Sequence, residues 1–590
     1  MINFRPALIF LFWVPLCFAQ LWDIGVVSFS GNQVFSKDDL QQIIKIRPSG
    51  FLSPVRVSFE QVVSDREALE AFYRRSGYYN ILAAASLRQE GEEGRASVIF
   101  FVAEGPRFSI DTIQFRGNEV FSDSFYRSLV RVSSGDALDS SLVELGRLII
   151  LDTLRNRGYL FSNVLFSITL NRDSAEGSVI YYIDEGPVVE AGELVVTGLE
   201  KVQQEVVERE LYFEKGEVLT PEKISRSVSK LNGTELFSSV YIEPLDTVQG
   251  GYGDTAMVPV LVIVQEGDMA AVQLGGGYGA FQGWYGQAKL LYRNLFGLGN
   301  SISLQGRLSS VEKGLTLAYQ YPHFLELPLS ATTELFYERR TEDSYSGNFY
   351  GGSFQLSSPL RESLFWSVQA RAELVNDFKA EDSTPLFPQN MQKNTFLLGT
   401  GIQYDNRAGF LRTRGTFSEL RLEVAGPFLP QTSQFYRLMG GGQFYYPFFG
   451  NMTAVSAFQG AFGRGYGEDA GLLPESQRFR IGFGFIPALR GYSEEEVMPR
   501  DELGNVRGAG ALMVFTPLEL RIPLFWYFQG ALFVDGGAAW RDASSVDLTD
   551  VKWAFGPGLI LRLPFVALRV DYGIQAEDFS GRFHLSAGAF

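Results

Sequence analysis

Three evenly spaced copies of one short motif constrain this 590-residue chain more than any other feature. Val102-Ala103-Glu104-Gly105-Pro106 recurs as Ile183-Asp184-Glu185-Gly186-Pro187 and as Val264-Gln265-Glu266-Gly267-Asp268, which spaces successive glutamates 81 positions apart. A second landmark, Phe29-Ser30-Gly31-Asn32, returns as Phe115-Arg116-Gly117-Asn118 and more weakly as Val196-Thr197-Gly198. Arg75-Ser76-Gly77-Tyr78-Tyr79 is echoed by Arg157-Gly158-Tyr159-Leu160, and Leu236-Phe237-Ser238-Ser239-Val240 holds the equivalent place in the third copy. A period this long exceeds that of solenoid repeats and suits three small domains in series.

Each copy has the same internal grammar. In the second, a strand over Asp111–Phe115 leads through a glycine turn to a helical pattern at Ser122–Val132. A longer helical pattern follows at Leu142–Arg157, then strands at Val164–Asn171 and Ser178–Glu185. Gly158 stands where the second helix should stop. The order β-α-α-β-β predicts two helices covering one face of a three-stranded mixed sheet, whose edges are open to an added strand. This pattern resembles the POTRA domain of outer-membrane assembly proteins, and the resemblance implies that the domains handle unfolded clients in the periplasm.

Ahead of the repeats, Arg5 precedes the apolar stretch Ala7–Phe18, and Ala19 offers a small residue before Gln20. This reads as a signal peptide over residues 1–19, since about 12 apolar residues are too few to span a bilayer as a helix. A lipoprotein signal fits less well, because Leu16 before Cys17 is large. Cys17 is the only cysteine, so cleavage after Ala19 leaves no thiol for catalysis, disulfides or metal binding.

Past Met269 the helical periodicity ends and alternation takes over. Leu315, Leu317, Tyr319 and Tyr321 alternate with Thr316, Ala318 and Gln320. Leu420, Leu422 and Val424 alternate with Arg421 and Glu423. Leu568, Val570, Tyr572 and Ile574 alternate with Arg569, Asp571 and Gly573. A soluble sandwich also alternates, but here the export signal, aromatics near strand ends and polar tracts accompany it. Those tracts (Lys379–Asn394, Gly467–Gln477 and Ser493–Asn505) are expected to be long outer loops. No stretch past the leader supplies 18 consecutive apolar residues, so a closed barrel is the remaining way to span a membrane. Residues 269–590 divide into about 16 antiparallel strand-plus-connection units. The expected domains are residues 20–107, 108–188 and 189–268 for the repeats and 269–590 for an all-β transmembrane barrel: α+β units followed by all-β.

Several motifs in this second half resemble the outer-membrane protein-assembly superfamily, the group of BamA- and TamA-type barrels. They are Asn294-Leu295-Phe296-Gly297-Leu298-Gly299-Asn300, Asp405-Asn406-Arg407 with Thr413-Arg414-Gly415, Leu489-Arg490-Gly491-Tyr492, and Phe533-Val534-Asp535-Gly536-Gly537. With three POTRA units, the resemblance covers nearly the whole mature chain. It implies an outer-membrane location in a diderm bacterium, with the repeats in the periplasm. It also implies an assembly factor that inserts or translocates barrel and autotransporter clients through a lateral seam between first and last strands. Three repeats favour a TamA-like factor, working with a large periplasm-spanning partner of TamB type, over a BamA-like one with assembly lipoproteins. The alternative is a two-partner-secretion pore, which usually has two POTRA domains and a plug helix, for which the first strand after Gln20 leaves no room.

Two groups of residues are singled out. An arginine confined in a barrel lumen needs a carboxylate, because an unpaired guanidinium there is costly to desolvate. Arg490 is expected to pair with Asp535, which the family motif supplies, or with Asp571. Gly491 would let the loop turn tightly against the wall, and Tyr492 completes the Arg-Gly-aromatic motif. The second group is the seam. A first strand over Ala271–Ala280 carries Gly275, Gly276, Gly277 and Gly279, and a last strand over Arg582–Phe590 carries Phe583 and Leu585 on one face. Phe590 has the opposite parity, so the strand bulges near Gly588 or Phe590 packs elsewhere. Glycine within a strand costs roughly 0.5–1 kcal/mol relative to alanine, which predicts weak pairing. The same glycines equally suit tight curvature or close backbone approach.

Enzymatic function is not expected. No Gly-x-Ser-x-Gly elbow, Walker loop or His-Glu-x-x-His occurs, and the two histidines, His323 and His584, leave little for metal sites or bases. No cofactor or metal site is implied. The net charge of −16 sits mostly in the repeats and no basic tract stands out, so nucleic-acid binding has no electrostatic footprint. That acidity keeps the repeats soluble or complements a basic partner.

Overall fold

The computed structural model describes residues 22–48, 56–90, 95–245, 255–279, 283–342, 344–380, 394–408, 413–427, 432–471, 473–482, 487–563 and 567–588. The leader and Phe590 lie outside them, as does most of the polar tract from Lys379 to Asn394. Contacts divide the chain into two compact units. One runs to Thr197 and takes in 210–230 and 240–263. The other comprises 198–209, 231–239 and everything from Val264 onward.

The β-α-α-β-β order recurs three times. In the second repeat it runs through a strand at Ser109–Arg116, helices at Asp123–Leu129 and Ser140–Asn156, and strands at Asn163–Asn171 and Glu176–Asp184. The last strand sits in the middle of each sheet, parallel to the first and antiparallel to the second. The first repeat differs from expectation in one respect: a two-residue strand, Arg56–Val57, pairs with Trp22–Ser30 and makes its sheet four-stranded. The second helix of the second repeat ends as anticipated, with Gly158 in the left-handed region just past it, and Gly77 holds the same place in the first repeat.

The repeated motifs turn out to be a single device. Gly31, Gly117 and Gly198 each have a positive φ, and a Cβ there would lie 2.1, 2.6 and 1.8 Å from the carbonyl oxygens of Val102, Ile183 and Val264. The turn after the first strand therefore lies on the backbone of the central strand. Two residues past that carbonyl, the repeated glutamate accepts the turn's free amides. Glu185, fully buried, takes N–H donors from Glu119, Val120 and Phe121 and the Tyr126 hydroxyl at 2.7 Å. Glu104 does the same for Gln33, Val34 and Tyr73, and Glu266 for Glu200, Lys201 and Val202.

Sixteen antiparallel strands, from Ala270–Gly279 to Gly581–Gly588, close into a barrel. Its polarity is inverted relative to a water-soluble protein. Leu315, Leu317, Leu420, Leu422, Leu568 and Val570 face outward and exposed, whereas Glu373, Glu423, Glu519, Asp535 and Asp571 are buried. An apolar belt of this extent belongs in hydrocarbon, with the charged face toward the lumen.

Two outcomes follow for the repeats. Glu185→Ala is expected to destabilise the second repeat by about 3 kcal/mol, since donors left unpaired in a buried site cost roughly 1–3 kcal/mol; hydrogen exchange across Glu176–Asp184 in the full chain measures it. Burial works to raise the Glu266 pKa, but the amides of Val202, Glu200 and Lys201 outweigh it and the net shift is downward. Its contribution is therefore complete above the ordinary glutamate range, near pH ~4.3, and is lost as pH falls through the depressed folded value. Amide protection of residues 200–202 should fall in that acidic window and become insensitive to it in Glu266→Gln.

Candidate functional site: a folded-in loop and the barrel seam

The segment 466–510 joins the strands Thr453–Gly465 and Ala511–Pro523. It does not behave as the outer loop its polar tracts suggested. Leu473, Phe479, Ile481, Leu489, Tyr492, Val497, Met498 and Ala509 pack with wall residues such as Phe435, Leu512, Val514 and Ala554 in one buried cluster. Asp469, Gln477 and Asp501, from tracts expected to be solvated, are also buried. Polar composition misled here because the polar groups are satisfied inside the loop and by the wall rather than by water. Asp501, for example, accepts from the Leu503 and Asn505 amides and from Arg507.

Arg490 reaches the wall at the loop's tip. Its Nε and Nη2 donate to the two oxygens of Asp535, both at 2.6 Å, and its Nη1 donates to Glu519 at 2.7 Å. Asp571 lies farther off, at 3.8 Å. The guanidinium stacks on the Phe533 ring, 3.5 Å from its centroid. A register shift between Phe515 and Leu518 turns Thr516 inward, and its hydroxyl donates to Asp535 at 2.7 Å. Glu519 also accepts from Arg521 and Arg569, and Arg569 pairs with Asp571. Three guanidiniums thus meet three carboxylates, formally neutral, which is the condition under which buried ions are tolerable.

Asp535 is the partner the motif implied. Glu519, Thr516, Arg521 and Arg569 were not singled out, although parity flagged some of them: Arg569 was read on the polar face, and Glu519 alternates with Leu518 and Leu520. Gly491 has φ +96 and packs so closely on the wall that a Cβ on Gly573 would lie 2.3 Å from its nitrogen. Its carbonyl accepts from Gln575 at 2.9 Å, and its amide donates to Nε2 of His584 at 2.8 Å. His584 therefore has a role that the sparse histidine content did not suggest. Tyr492 is buried and donates to the Trp553 carbonyl at 3.1 Å. Farther round the lumen, Arg480 pairs with Glu342 and Glu494, and Arg437 with Glu423 and Gln477.

The motif Asn294–Asn300 forms the first hairpin turn on the opposite rim. Asn294 and Phe296 adopt positive φ, the Asn294 side chain donates to the Lys201 carbonyl at 3.0 Å, and the Gln203 amide donates to the Gly297 carbonyl at 2.9 Å.

At the seam, Ala270–Gly279 pairs with the second strand along its whole length, from Ala270↔Tyr292 to Gly279↔Gly283. Toward the last strand a single pair, Tyr278↔Ala587, is found among the described residues. That register sets Gly581–Leu585 beyond the top of the first strand, and Ala270–Gly276 have no ladder partner on that edge among the described residues. The glycines serve close approach: a Cβ on Gly277 would lie 2.0 Å from the Ala587 carbonyl oxygen, and one on Gly275 2.9 Å from the Gln287 side chain. Phe583 and Leu585 face outward, the Phe583 ring tilted by 51° against Tyr572 with centroids 4.7 Å apart.

Residues 294–590 match the Omp85 superfamily domain, and 23–105, 108–186 and 189–267 match the surface antigen variable number repeat, or POTRA. The chain belongs to the Omp85 superfamily. Among its relatives within Omp85, the outer membrane protein assembly factor BamA of Nitratidesulfovibrio vulgaris is 25% identical, over 96% of this chain and 73% of its own length. BamA of Neorickettsia risticii is 23% identical, over 93% and 75%. The crystal structure of Haemophilus ducreyi BamA lacking POTRA domains 1–3 superposes with a TM-score of 0.67, covering 82% of this chain and 100% of that one at 19% identity, a likeness of fold. These relatives carry the BamA name; the TamA leaning from repeat number has no counterpart among them.

Removing one member of the Arg490 cluster should be severe. Arg490→Ala is expected to cost about 3–5 kcal/mol, the scale for stranding buried partners, read by denaturant unfolding of the reconstituted barrel. Arg490→Ala with Asp535→Ala should cost clearly less than the sum of the two single changes; additivity would show that the pair is not coupled.

Proposed function

We propose that this protein is an outer-membrane assembly factor that inserts client β-barrel and autotransporter proteins, with the barrel in the outer membrane and the POTRA repeats in the periplasm. The observation that carries this reading is the first strand's outer edge, where Ala270–Gly276 have no ladder partner among the described residues. A row of free amides and carbonyls at a membrane-embedded edge is costly, because hydrocarbon supplies no hydrogen-bond partner. A client strand adding there would satisfy it and present its own far edge to the next strand. Insertion then proceeds by exchange of hydrogen bonds, with no bond chemistry, cofactor or metal required.

In this reading the lumen is not a conduit. Leu489, Tyr492 and Phe479 of the loop pack on the wall in one buried cluster, which favours insertion at the wall over a two-partner-secretion pore. Arg490, Gly491, Tyr492, Asp535 and Asp571 act as the lock that holds the loop against the late strands, and Gly275–Gly279 with the last strand form the seam. The open sheet edges of the repeats receive unfolded clients. The further partner is a large periplasm-spanning protein of TamB type or a set of assembly lipoproteins.

Cysteines at Tyr278 and Ala587 should form a disulfide across the seam pair found among the described residues. Oxidation is expected to abolish insertion of an unfolded barrel protein into proteoliposomes, and reduction to restore it; full activity with the bond closed would refute seam opening. Deletion followed by outer-membrane proteomics separates the roles. Broad loss of barrels corresponds to a BamA-type role, a narrow subset to a TamA-type role, and one missing exoprotein to a pore.

A further inference from the structure

We propose that His584 couples the folded-in loop to the last strand, so that loop and seam move as one body. This rests on the seam reading above and deepens it by naming the positioning residue. His584 lies on Gly581–Gly588, the only strand bordering the seam from the C-terminal side, and its neighbours Phe583 and Leu585 face outward, which turns His584 to the lumen. There its Nε2 accepts the Gly491 amide at 2.8 Å, one residue from the Arg490 guanidinium.

The other contacts make that hydrogen bond a defined joint rather than a passing touch. Gln575 holds the Gly491 carbonyl at 2.9 Å, so both polar groups of this one peptide-bearing residue are taken by the last two strands. Gly573 leaves no room for a Cβ beneath Gly491, which fixes the loop's height above the wall. Asp571, cross-strand neighbour of His584, belongs to the ion cluster through Arg569 and Arg490. The loop tip thus grips the strands Phe528–Trp540 and Ala511–Pro523 through charge, and the last strand through His584.

The mechanical consequence follows from the register. Because the last strand has one ladder pair with the first among the described residues, its position on that side depends little on the seam itself. It depends instead on its ladder with Ala567–Gln575 and on the loop. Loosening the His584 joint should therefore loosen the seam even though no seam residue is changed.

The test uses the full chain in proteoliposomes, with hydrogen exchange across Gly581–Gly588 and oxidation rate of the Tyr278/Ala587 cysteine pair as readouts independent of clients. His584→Ala is expected to speed exchange about five-fold, the factor for one hydrogen bond of ordinary net strength, and to change the disulfide rate in parallel. His584→Gln, whose amide oxygen can accept the Gly491 N–H, should restore both. A merely space-filling histidine would be rescued by His584→Leu and not by His584→Gln, and that outcome overturns the proposal, as does unchanged exchange in His584→Ala. Insertion of an unfolded eight-stranded barrel protein is measured alongside. Altered seam motion with unaltered insertion would uphold the coupling and sink the seam reading, so the two failures are distinguishable.

Discussion

Hydrocarbon offers nothing to a backbone N–H, and the rest of this structure is organised by that fact. The sixteen strands satisfy one another around a circuit that is thin only at the seam, and closure forces the alternating side chains into two incompatible environments. Leucines and valines take the outside. The charges, denied both water and lipid, must find each other inside, which is why the lumen holds a neutral set of three arginines and three carboxylates rather than scattered single ions.

The same constraint explains why the folded-in loop and the seam belong in one account. A loop carrying buried Arg480 and Arg507 and half-buried Arg478 and Arg490 can enter the lumen only if wall residues or its own groups meet each guanidinium, and each is met. The loop thereby becomes part of the wall's support. The seam is the place where the circuit is thinnest, and the cause is register more than glycine. Among the described residues the last strand pairs only with the top of the first, and Gly277 lets the two backbones approach there. Of the two readings the seam glycines admitted, close approach is the one the geometry around Gly277 favours.

Much was legible in residue order. The 81-residue period located three like domains, and their landmarks proved to be the two halves of one clasp, a glycine lying on the central strand and a glutamate capping the turn beside it. Parity assigned the faces of the barrel strands correctly at Leu420, Leu568 and Asp571. What failed was any inference from polarity within the loop. Gly467–Gln477 and Ser493–Asn505 look like solvated tracts because their polar groups are real; only the partners are unexpected. His584 was passed over for a similar reason, since a lone histidine on a strand has no pattern to mark it.

Periodicity marked three α+β units and an alternating sheet, and with the export signal and the motif resemblance it pointed to a membrane barrel with an apolar exterior, because period and parity are local properties that survive in a linear record. Which carboxylates meet Arg490, how the loop packs on the wall, and how few end-strand pairs form among the described residues were decided only by tertiary structure. Each of those depends on the shear of a closed sheet, which brings residues such as Gly491 and His584 together across 93 positions of sequence that share no local signal.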